Sequence, residues 1–294
     1  MKQIVFLSGK GGTGKTTFSA SLAAVIEGAI AADCDVDGSN MPIALGGEVV
    51  KEGLFYAMPR VSIDPEACTM CGLCERLCQF DAIHPPLVNL SKCEGCMVCL
   101  DHCPQSAIGR FEVPCGRWFI SRTATGHMVY ARLNPGEENS GKLVNKVRTE
   151  AKALCPEGGI IVLDGPPGIG CPAISSLTGT DLAVIVAEPS ISSLQDAKRL
   201  LELIRMMNVK PVGIMNKHDL SRRISGEIEG FFLENGVQVC GKLSFAPEIP
   251  RTQRLGVAPV LSASGETKRQ LRGILSELMN QAGIKGRTSS SGGA

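Results

Sequence analysis

Eight of the thirteen cysteines lie between Cys68 and Cys103, in two runs with the same spacing, C-x2-C-x2-C-x3-C. The runs consist of Cys68, Cys71, Cys74 and Cys78, and of Cys93, Cys96, Cys99 and Cys103. Thiolates spaced this closely can hold one face of an iron–sulfur cluster. Zinc usually takes two separated C-x-x-C pairs, and disulfide frameworks belong to short secreted chains. The triple-cysteine runs therefore favour iron–sulfur clusters over zinc and over disulfides.

Each run matches the bacterial ferredoxin pattern, in which the fourth cysteine binds the cluster of the other run. This resemblance implies two [4Fe–4S] clusters. The predicted ligands are Cys68, Cys71, Cys74 and Cys103 for the first cluster, and Cys78, Cys93, Cys96 and Cys99 for the second. Pro104 follows Cys103, whereas Gln79 follows Cys78. Because proline shapes the turn and is not a ligand, we expect an altered cluster environment and not the loss of a cluster.

Residues 9–16 read G-K-G-G-T-G-K-T and fit the phosphate-binding pattern G-x-x-x-x-G-K-[ST]. An apolar run precedes them and a helical pattern follows, which is the context that a P-loop needs. We expect Lys15 to reach the β- and γ-phosphates and Thr16 to bind Mg²⁺. The predicted nucleotide-binding residues of this segment are Gly9, Lys10, Gly11, Gly12, Thr13, Gly14, Lys15, Thr16 and Thr17.

Lys10 occupies the second position of the loop, from which it cannot easily reach the γ-phosphate of its own nucleotide. If a partner subunit faces the loop, Lys10 could reach the nucleotide of that partner and act as a cation supplied in trans, comparable to an arginine finger. From this residue alone, a solvated loop lysine is an equally good interpretation.

Carboxylates follow two further predicted strands, at the strand ends where α/β sheets place their sites. Asp33 suits the Mg²⁺ shell, and Asp35 suits positioning the attacking water; Asp37 is a weaker candidate. Asp164 is placed like a Walker B carboxylate for Mg²⁺, and the N–H of Gly168 could reach the γ-phosphate. The predicted catalytic residues are Lys10, Lys15 and Asp35.

Asn216 closes another predicted strand and carries the donor and acceptor that a purine edge needs. Residues 216–219 read N-K-H-D, and N-K-x-D is also the guanine-binding pattern of many GTPases. A simple turn is the alternative, so this motif does not choose between ATP and GTP.

Short apolar runs alternate with helical patterns along most of the chain. Strands are predicted at 4–7, 29–32, 159–163, 182–187, 211–215 and 237–243, and helices at 16–27, 141–154, 192–207, 221–235 and 265–282. This alternation predicts an α/β fold with a mostly parallel sheet flanked by helices, as in P-loop NTPases. Residues 118–133 are predicted to form a hairpin or edge strands.

The cysteine runs interrupt this pattern and indicate an inserted module. The predicted domains are a P-loop ATPase domain at 1–60 and 112–285, an inserted ferredoxin-like domain at 61–111, and a disordered tail at 286–294. The other five cysteines are scattered, and packing is the default expectation for them: Cys34, Cys115, Cys155, Cys171 and Cys240.

The composition narrows the functional classes. Thirty Lys and Arg residues against 29 Asp and Glu give a net charge of +1, which removes the electrostatic argument for nucleic acid or membrane-surface binding. No run of 18 apolar residues occurs, so membrane insertion is not expected. The N-terminal sequence has no pattern of a cleaved signal peptide, and we expect a cytoplasmic protein.

Three sequence features together carry a family resemblance. Lys10 and Lys15 in the P-loop, the D-x-D at Asp33 and Asp35, and D-G-P-P-G at 164–168 resemble the deviant Walker A ATPases of the MinD/Mrp type, in the superfamily of the nitrogenase iron protein. With the ferredoxin-like insert, and with G-E-E-N-S-G-K-L at 136–143, the chain resembles the members that carry an inserted two-cluster ferredoxin domain. The resemblance implies ATP and a nucleotide-sandwich dimer in which Lys10 crosses the interface.

Two functions remain open at this stage. The first is an ATP-hydrolysing iron–sulfur protein, weakly active without its partner. Nucleotide-driven switching of its dimer would gate electron transfer, or the delivery of an iron–sulfur or metal cofactor, to a redox or cofactor-assembly partner. The alternative is a regulatory or positioning ATPase of the MinD/ParA kind with structural or redox-sensing clusters. The dimer could form with a second copy or with a related ATPase. A plain ferredoxin with a vestigial P-loop fits less well, because Lys15, Thr16 and the strand-end aspartates are all present.

Overall fold

The computed structural model describes residues 1–137 and 140–284. The chain divides into two compact units. The first unit comprises Met1–Glu52, Trp118–Arg132 and the chain from Ser140 onward, and the second comprises Gly53–Arg117 and Leu133–Asn139. The predicted tail at 286–294 lies outside the described residues, and so do positions 138 and 139 of the motif at 136–143.

The first unit is built around a nine-stranded sheet. The strands of the chain are β1 Lys2–Ser8, β2 Ile30–Asp33, β3 Glu48–Tyr56, β4 Arg60–Ile63, β5 Ile83–His84, β6 Leu87–Val88, β7 Ile108–Phe111, β8 Pro114–Arg122, β9 His127–Leu133, β10 Ile160–Pro167, β11 Leu182–Ala187, β12 Lys210–Asn216 and β13 Gln238–Leu243. The order in the sheet is β13-β12-β11-β1-β10-β2-β9-β8-β3. Neighbouring strands from β13 to β9 are parallel. The predicted mostly parallel sheet is therefore confirmed.

Strand β9 departs from one expectation. It pairs in parallel with β2 and has β8 on its other side, so it is an interior strand of the sheet and not an edge strand. Its apolar residues Met128 and Val129 are buried accordingly.

Helices occur in both units. They are α1 Lys15–Val25, α2 Met41–Leu45, α3 Leu73–Leu77, α4 Val98–Asp101, α5 Ser140–Leu154, α6 Cys171–Leu177, α7 Ile191–Met206, α8 Arg222–Glu234, α9 Glu248–Gln253, α10 Pro259–Ser262 and α11 Gly265–Gln281, with a short 3-10 helix at His218–Leu220. Phe18 and Leu22 of α1 join Ile4 and Phe6 of β1 in the main core. Burying side chains of this size stabilises the fold by about 1.5–3 kcal/mol each. No helix in the described part of the chain is long and apolar enough to cross a membrane.

The second unit is small, and its two cysteine runs share the same local backbone conformation. It has two antiparallel ribbons, β4–β7 and β5–β6, and the short helices α3 and α4. In each cysteine run, the residues on both sides of the second cysteine adopt left-handed backbone conformations, with φ between 58° and 69°. These residues are Met70 and Gly72 in the first run, and Gly95 and Met97 in the second. A methionine is sterically strained in this conformation, and such strain concentrates at functional sites.

Candidate functional site

The loop between β1 and α1 fits its surroundings only with glycines. A Cβ atom on Gly9 would lie 1.8 Å from the Cβ of Asp196, and one on Gly14 would lie 2.3 Å from Nδ2 of Asn216. Gly14 also has φ +100°, a left-handed conformation that glycine adopts without strain. The glycines therefore let the loop run close against α7 and the end of β12 before α1 begins.

Lys15 lies in the first turn of α1 and is 6% exposed. Its Nζ donates to Oγ of Ser8 at 3.0 Å, and that hydroxyl donates to the carbonyl oxygen of Lys10 at 2.7 Å. An ammonium group has three donors, and only one is engaged within the described residues. The loop thus holds a buried cation with donors to spare.

A cavity of about 410 Å³ opens beside this loop. Its lining combines loop glycines and polar side chains with an apolar wall. The lining residues are Gly11, Gly12, Gly14, Lys15, Thr16, Thr17, Asp35, Asn40, Ile43, Asn216, Lys217, Phe245, Ala246, Ile249, Pro250 and Gln253. A cavity of this size that joins phosphate-type donors to an apolar wall suits a nucleotide. Phe245 and Gln253 were not predicted, because they come from a segment without a recognisable motif.

Two buried carboxylates stand side by side below the loop. Asp164 on β10 and Asp33 on β2 are direct partners in the register of these parallel strands. Oγ1 of Thr16 donates to Oδ2 of Asp164 at 2.5 Å. Oδ1 of Asp164 is buried and makes no hydrogen bond of ordinary geometry within the described residues, although the hydroxyl of Ser19 lies near this carboxyl group and lowers its pKa. The structure therefore brings the three predicted Mg²⁺ residues together.

Burial raises the pKa of both Asp33 and Asp164, and the negative charge of Asp164 raises the pKa of Asp33 further. Two adjacent carboxylates with one unpaired oxygen fit a cation, which would remove the repulsion. Mg²⁺ commonly takes one or two carboxylates and completes its shell with phosphate oxygens and water. Within the described residues, no three His, Cys, Asp or Glu side chains are arranged to hold a single ion by themselves.

The carboxyl group of Asp33 is also a structural anchor. Its oxygens accept hydrogen bonds from the backbone N–H of Asp35 at 3.1 Å, the hydroxyl of Ser39 at 2.7 Å and the backbone N–H of Met41 at 2.9 Å. These bonds order the turn that carries Asp35 to the cavity wall. Burial raises the pKa of Asp35, and the charge of Lys15 opposes this.

Lys10 is engaged within its own chain in this structure. Its Nζ lies 2.8 Å from Oε1 of Glu188 and 3.1 Å from Oγ of Ser190. Lys217 binds the other carboxylate oxygen of Glu188 at 2.8 Å and the carbonyl oxygen of Gly12 at 2.9 Å. Burial alone would raise the pKa of Glu188, but the two lysines lower it below its ordinary value. Glu188 was not predicted from the sequence, although its place directly after a predicted strand was a usable signal.

Gly168 and Asn216 brace the loop in this structure. The N–H of Gly168 donates to the carbonyl oxygen of Ser8 at 2.9 Å, and Nδ2 of Asn216 donates to the carbonyl oxygen of Thr13 at 2.7 Å. Asn216 also lines the cavity, whereas Gly168 does not.

The second unit contains two small cavities that are lined by cysteines. The first is lined by Cys68, Cys71, Cys74 and Cys103, and the second by Cys78, Cys93, Cys96 and Cys99, each with apolar neighbours. These groups coincide with the two ligand sets predicted from the sequence. All thirteen cysteines of the chain are free thiols.

The donor chemistry of these cavities fits iron–sulfur clusters. Burial raises the pKa of Cys99 to about 11 and raises that of Cys74, so a bound metal would have to stabilise their thiolates. Among the described residues, no three cysteines are arranged to hold a single metal ion. The structure thus places each predicted set of four thiols at one cavity.

Comparison with known proteins identifies the family to which this chain belongs. Residues 4–260 match the CobQ/CobB/MinD/ParA nucleotide binding domain. Two similar proteins come from Methanocaldococcus jannaschii. The uncharacterized protein MJ0578 is 36% identical over 225 residues, covering 74% of this chain and 79% of that protein. The uncharacterized protein MJ0579 is 26% identical over 226 residues, covering 75% and 82%.

Solved structures support the same fold. MinD from Pyrococcus horikoshii, solved with Mg-ADP, has a TM-score of 0.60 at 18% identity and covers 97% of this chain and 99% of its own. An ATP complex of McdA from Cyanothece has a TM-score of 0.60 at 16% identity, covering 97% and 98%. The Aquifex aeolicus MinC:MinD complex gives a TM-score of 0.57 at 18% identity, covering 95% and 96%. The chain therefore belongs to the CobQ/CobB/MinD/ParA nucleotide-binding family and has its P-loop α/β fold.

Proposed function

We propose that this protein is an ATP-dependent switch of the MinD/ParA type whose second unit carries two [4Fe–4S] clusters. The observation that carries the proposal is the corner formed by Thr16 and Asp164 beside the cavity, where a buried carboxylate oxygen makes no hydrogen bond of ordinary geometry among the described residues. A buried unpaired carboxylate oxygen is costly, and a bound Mg²⁺–nucleotide would satisfy it.

Several residues of the first unit would have separate roles in ATP hydrolysis. The backbone N–H groups of the Gly9–Thr16 loop and the ammonium of Lys15 would bind the β- and γ-phosphates. Thr16 and Asp164 would hold Mg²⁺, which neutralises charge that develops on the phosphate oxygens. Asp35, at the cavity wall, would orient the attacking water and accept its proton. Its raised pKa makes it a better proton acceptor than an exposed aspartate.

Lys10 would act across a dimer. In this structure it is engaged with Glu188 of its own chain, so it would have to leave that carboxylate to reach the γ-phosphate of a partner. A dimer that forms only when ATP is bound, and separates after hydrolysis, is a switch. The similar structures point the same way: one is MinD with Mg-ADP and one is MinD in a complex with MinC.

The clusters are the finer part of the proposal. Their support is that each predicted ligand set lines one cavity of the second unit, and that both runs share the same left-handed backbone around the second cysteine. When bound, such clusters exchange electrons at a potential set by hydrogen bonds, burial and charge. Here the backbone N–H of Ala82 donates to Sγ of Cys78 at 3.4 Å, the kind of contact that tunes such a site.

Two roles for the clusters remain as candidates. None of the similar proteins reported above is described as an electron carrier, so the comparisons favour a regulatory or positioning switch with structural or redox-sensing clusters. Delivery of electrons, or of an iron–sulfur or metal cofactor, to a partner protein is the second candidate. It draws on the eight thiols of the two cavities alone.

Sedimentation velocity of protein purified without oxygen tests the switch. We expect a monomer without nucleotide and with ADP, and a dimer with Mg-ATP. Lys15→Ala should remain monomeric, whereas Arg223→Gln, which alters an exposed ion pair on α8, should behave as the unmodified protein does. Absence of nucleotide binding, or dimerisation that ignores the nucleotide, would reject the proposal.

Chemical analysis of the same preparation tests the clusters. Two [4Fe–4S] clusters require about eight iron and eight sulfide ions per chain. Zinc, or iron without sulfide, would reject them. The reduction potential with and without Mg-ATP then separates the two roles. A shift of about 60 mV, a tenfold coupling for one electron, would favour electron delivery, and no shift would favour the switch.

A further inference from the structure

The two cysteine-lined cavities of the second unit differ in charge and in exposure to solvent. We propose that Glu94 makes the cluster of the second cavity harder to reduce than the cluster of the first. This inference rests on the proposed function, because it assigns unequal reduction potentials to the two clusters proposed there. Every residue that it uses belongs to the second unit.

The two halves of this unit can be compared position by position, because they repeat both spacing and backbone conformation. In addition to the left-handed residues around the second cysteine, another such residue lies three positions after the fourth cysteine of each run. Asp81 has φ 51° and Ser106 has φ 49°. An alanine and an isoleucine follow in both halves, at 82–83 and at 107–108. Equivalent positions in the two halves therefore differ in side chain on similar backbones.

Two of these equivalent positions differ in charge. The residue after the first cysteine is Thr69 in the first run and Glu94 in the second, and each lines the cavity of its own run. Ser106 comes three residues after a ligand of the first cavity, whereas its equivalent Asp81 comes three residues after a ligand of the second. The second cavity thus has two carboxylates nearby in sequence where the first has two hydroxyls.

Only one of these two carboxylates is compensated within the described residues. Oδ2 of Asp81 lies 2.7 Å from Nζ of Lys92, and its Oδ1 lies 3.7 Å from Nε2 of His84. Glu94 takes part in none of the ion pairs among the described residues. It is also half-buried, so water screens its charge only in part. Glu94 is therefore the residue that leaves a negative charge at the second cavity.

The burial of the ligands acts in the same direction as this charge. Cys93 and Cys99 of the second cavity are 7% and 8% exposed, whereas each predicted ligand of the first cavity is at least partly exposed. Reduction adds one negative charge to a cluster, and that charge is less stable beside a carboxylate and away from water. Both differences therefore lower the reduction potential at the second cavity.

One contact acts against this order. The N–H of Ala82 donates to Sγ of Cys78 at 3.4 Å, and a hydrogen bond to a ligand sulfur raises the reduction potential because it stabilises negative charge. An N–H dipole is neutral overall, and its field weakens with distance faster than that of a full charge. We therefore expect the charge of Glu94 and the burial of Cys93 and Cys99 to outweigh this bond.

A redox titration followed by electron paramagnetic resonance tests the assignment. Full-length protein is purified without oxygen, and its iron and sulfide contents are measured. We expect two separate midpoint potentials in the unmodified protein. Glu94→Gln removes the charge at nearly constant shape and should raise the lower potential by about 30–60 mV, a threefold to tenfold change in the equilibrium for one electron, while the upper potential moves less. Glu112→Gln, at an exposed residue that lines neither cavity, should change neither potential.

Thr69→Glu provides the reciprocal test. It places a carboxylate in the first run at the position equivalent to Glu94. The added charge should lower the upper potential and bring the two potentials closer together.

The outcomes separate this assignment from the proposed function. A single potential for both clusters would overturn the assignment while leaving the clusters in place. So would a Glu94→Gln protein in which neither potential moves, or in which the upper potential moves more than the lower. Protein without iron and sulfide would overturn both. Should Glu94→Gln fail to retain iron, Thr69→Glu decides, and an upper potential that does not fall in that variant would overturn the assignment.

Discussion

In the first unit, the phosphate-binding loop is held by hydrogen bonds that need no ligand. Asn216, Gly168 and Lys15 each bond to the loop or to the strand before it. In the second unit, the predicted cluster ligands line two cavities, Cys71 and Cys96 are exposed, and the apolar core is small. The first site is therefore preorganised by the fold, whereas the proposed clusters would supply much of the stability of the second unit.

This difference predicts an order of dependence. The first unit should fold and bind nucleotide when the clusters are absent. The second unit should lose structure when they are removed. Single substitutions in each unit test whether the two sites differ in this way.

The largest expected effect is that of Lys15→Ala. Removing a buried cation that faces the cavity should lower ATP turnover by about a thousandfold or more, because the site loses the charge that Lys15 places against the phosphates. Iron and sulfide contents should not change. Turnover measured beside Lys198→Ala, an exposed lysine of α7, provides the control, and unchanged hydrolysis in Lys15→Ala would remove this residue from its assigned role.

The second effect is confined to the other unit. Cys99→Ser, at a buried cysteine, should remove most of one cluster and make residues 53–117 sensitive to proteases, while ATP affinity remains within about threefold. Cys171→Ser, at an exposed cysteine outside both runs, should leave the iron content unchanged. If Cys99→Ser abolished nucleotide binding as well, the two sites would not be independent and the contrast drawn above would be wrong.

Lys10→Ala should show an intermediate effect. ADP and ATP should still bind, because Lys10 is engaged with Glu188 and does not line the cavity. ATP-dependent dimerisation should weaken and hydrolysis should fall by about a hundredfold, the lower end of the loss expected when one group that stabilises transition-state charge is removed. Equilibrium binding and sedimentation measured on the same sample distinguish this result from misfolding, and unmodified behaviour in both assays would make Lys10 a residue of the resting loop only.

Much of the first site was accessible from sequence, because its parts are local. A glycine-rich loop between a strand and a helix, and carboxylates at strand ends, follow from short patterns. The ion pair between Lys10 and Glu188 was not predictable from the sequence, because 178 positions separate these residues and they meet only when β1 and β11 pair. The assignment of Leu133–Glu137 to the second unit was equally hidden, because its partners, such as Arg60 for Glu137 and Cys115 for Asn134, come from distant parts of the chain.

The buried pair Asp33 and Asp164 predicts a dependence of stability on pH in the protein without nucleotide. Burial raises both pKa values, so the folded state retains protons that the unfolded state has already released. Stability should therefore fall as pH rises from the ordinary aspartate range, near 4, toward the raised values, by up to about 1.4 kcal/mol per pH unit for each retained proton.

Urea unfolding at about pH 5 and about pH 7 measures this dependence. Asp33→Asn should reduce the slope, because one of the two retained protons is lost. Mg-ATP should also reduce it, because a cation stabilises the ionised carboxylates. Equal slopes in the unmodified protein and in Asp33→Asn would show that this pair does not control the pH response.

The smallest effect concerns the base. Residues 216–219 fit a guanine-binding pattern, yet in this structure they brace the phosphate loop: Asn216 donates to Thr13, Lys217 donates to Gly12, and Oδ1 of Asp219 accepts from the N–H of Phe245 at 2.7 Å. Asp219→Ala should therefore change the ratio of ATP to GTP affinity by less than about threefold and cost about 1 kcal/mol of stability. Competition between the two nucleotides measures the ratio, with the exposed Asp101→Ala as the control.

A hundredfold or larger loss of GTP binding alone would mean that Asp219 binds a guanine edge, since sites built to hydrogen-bond a base bind it much more weakly once the partner side chain is removed. The loop would then owe its rigidity to Asn216 and Lys217 only, and the preorganisation of the first site would include the base as well as the phosphates.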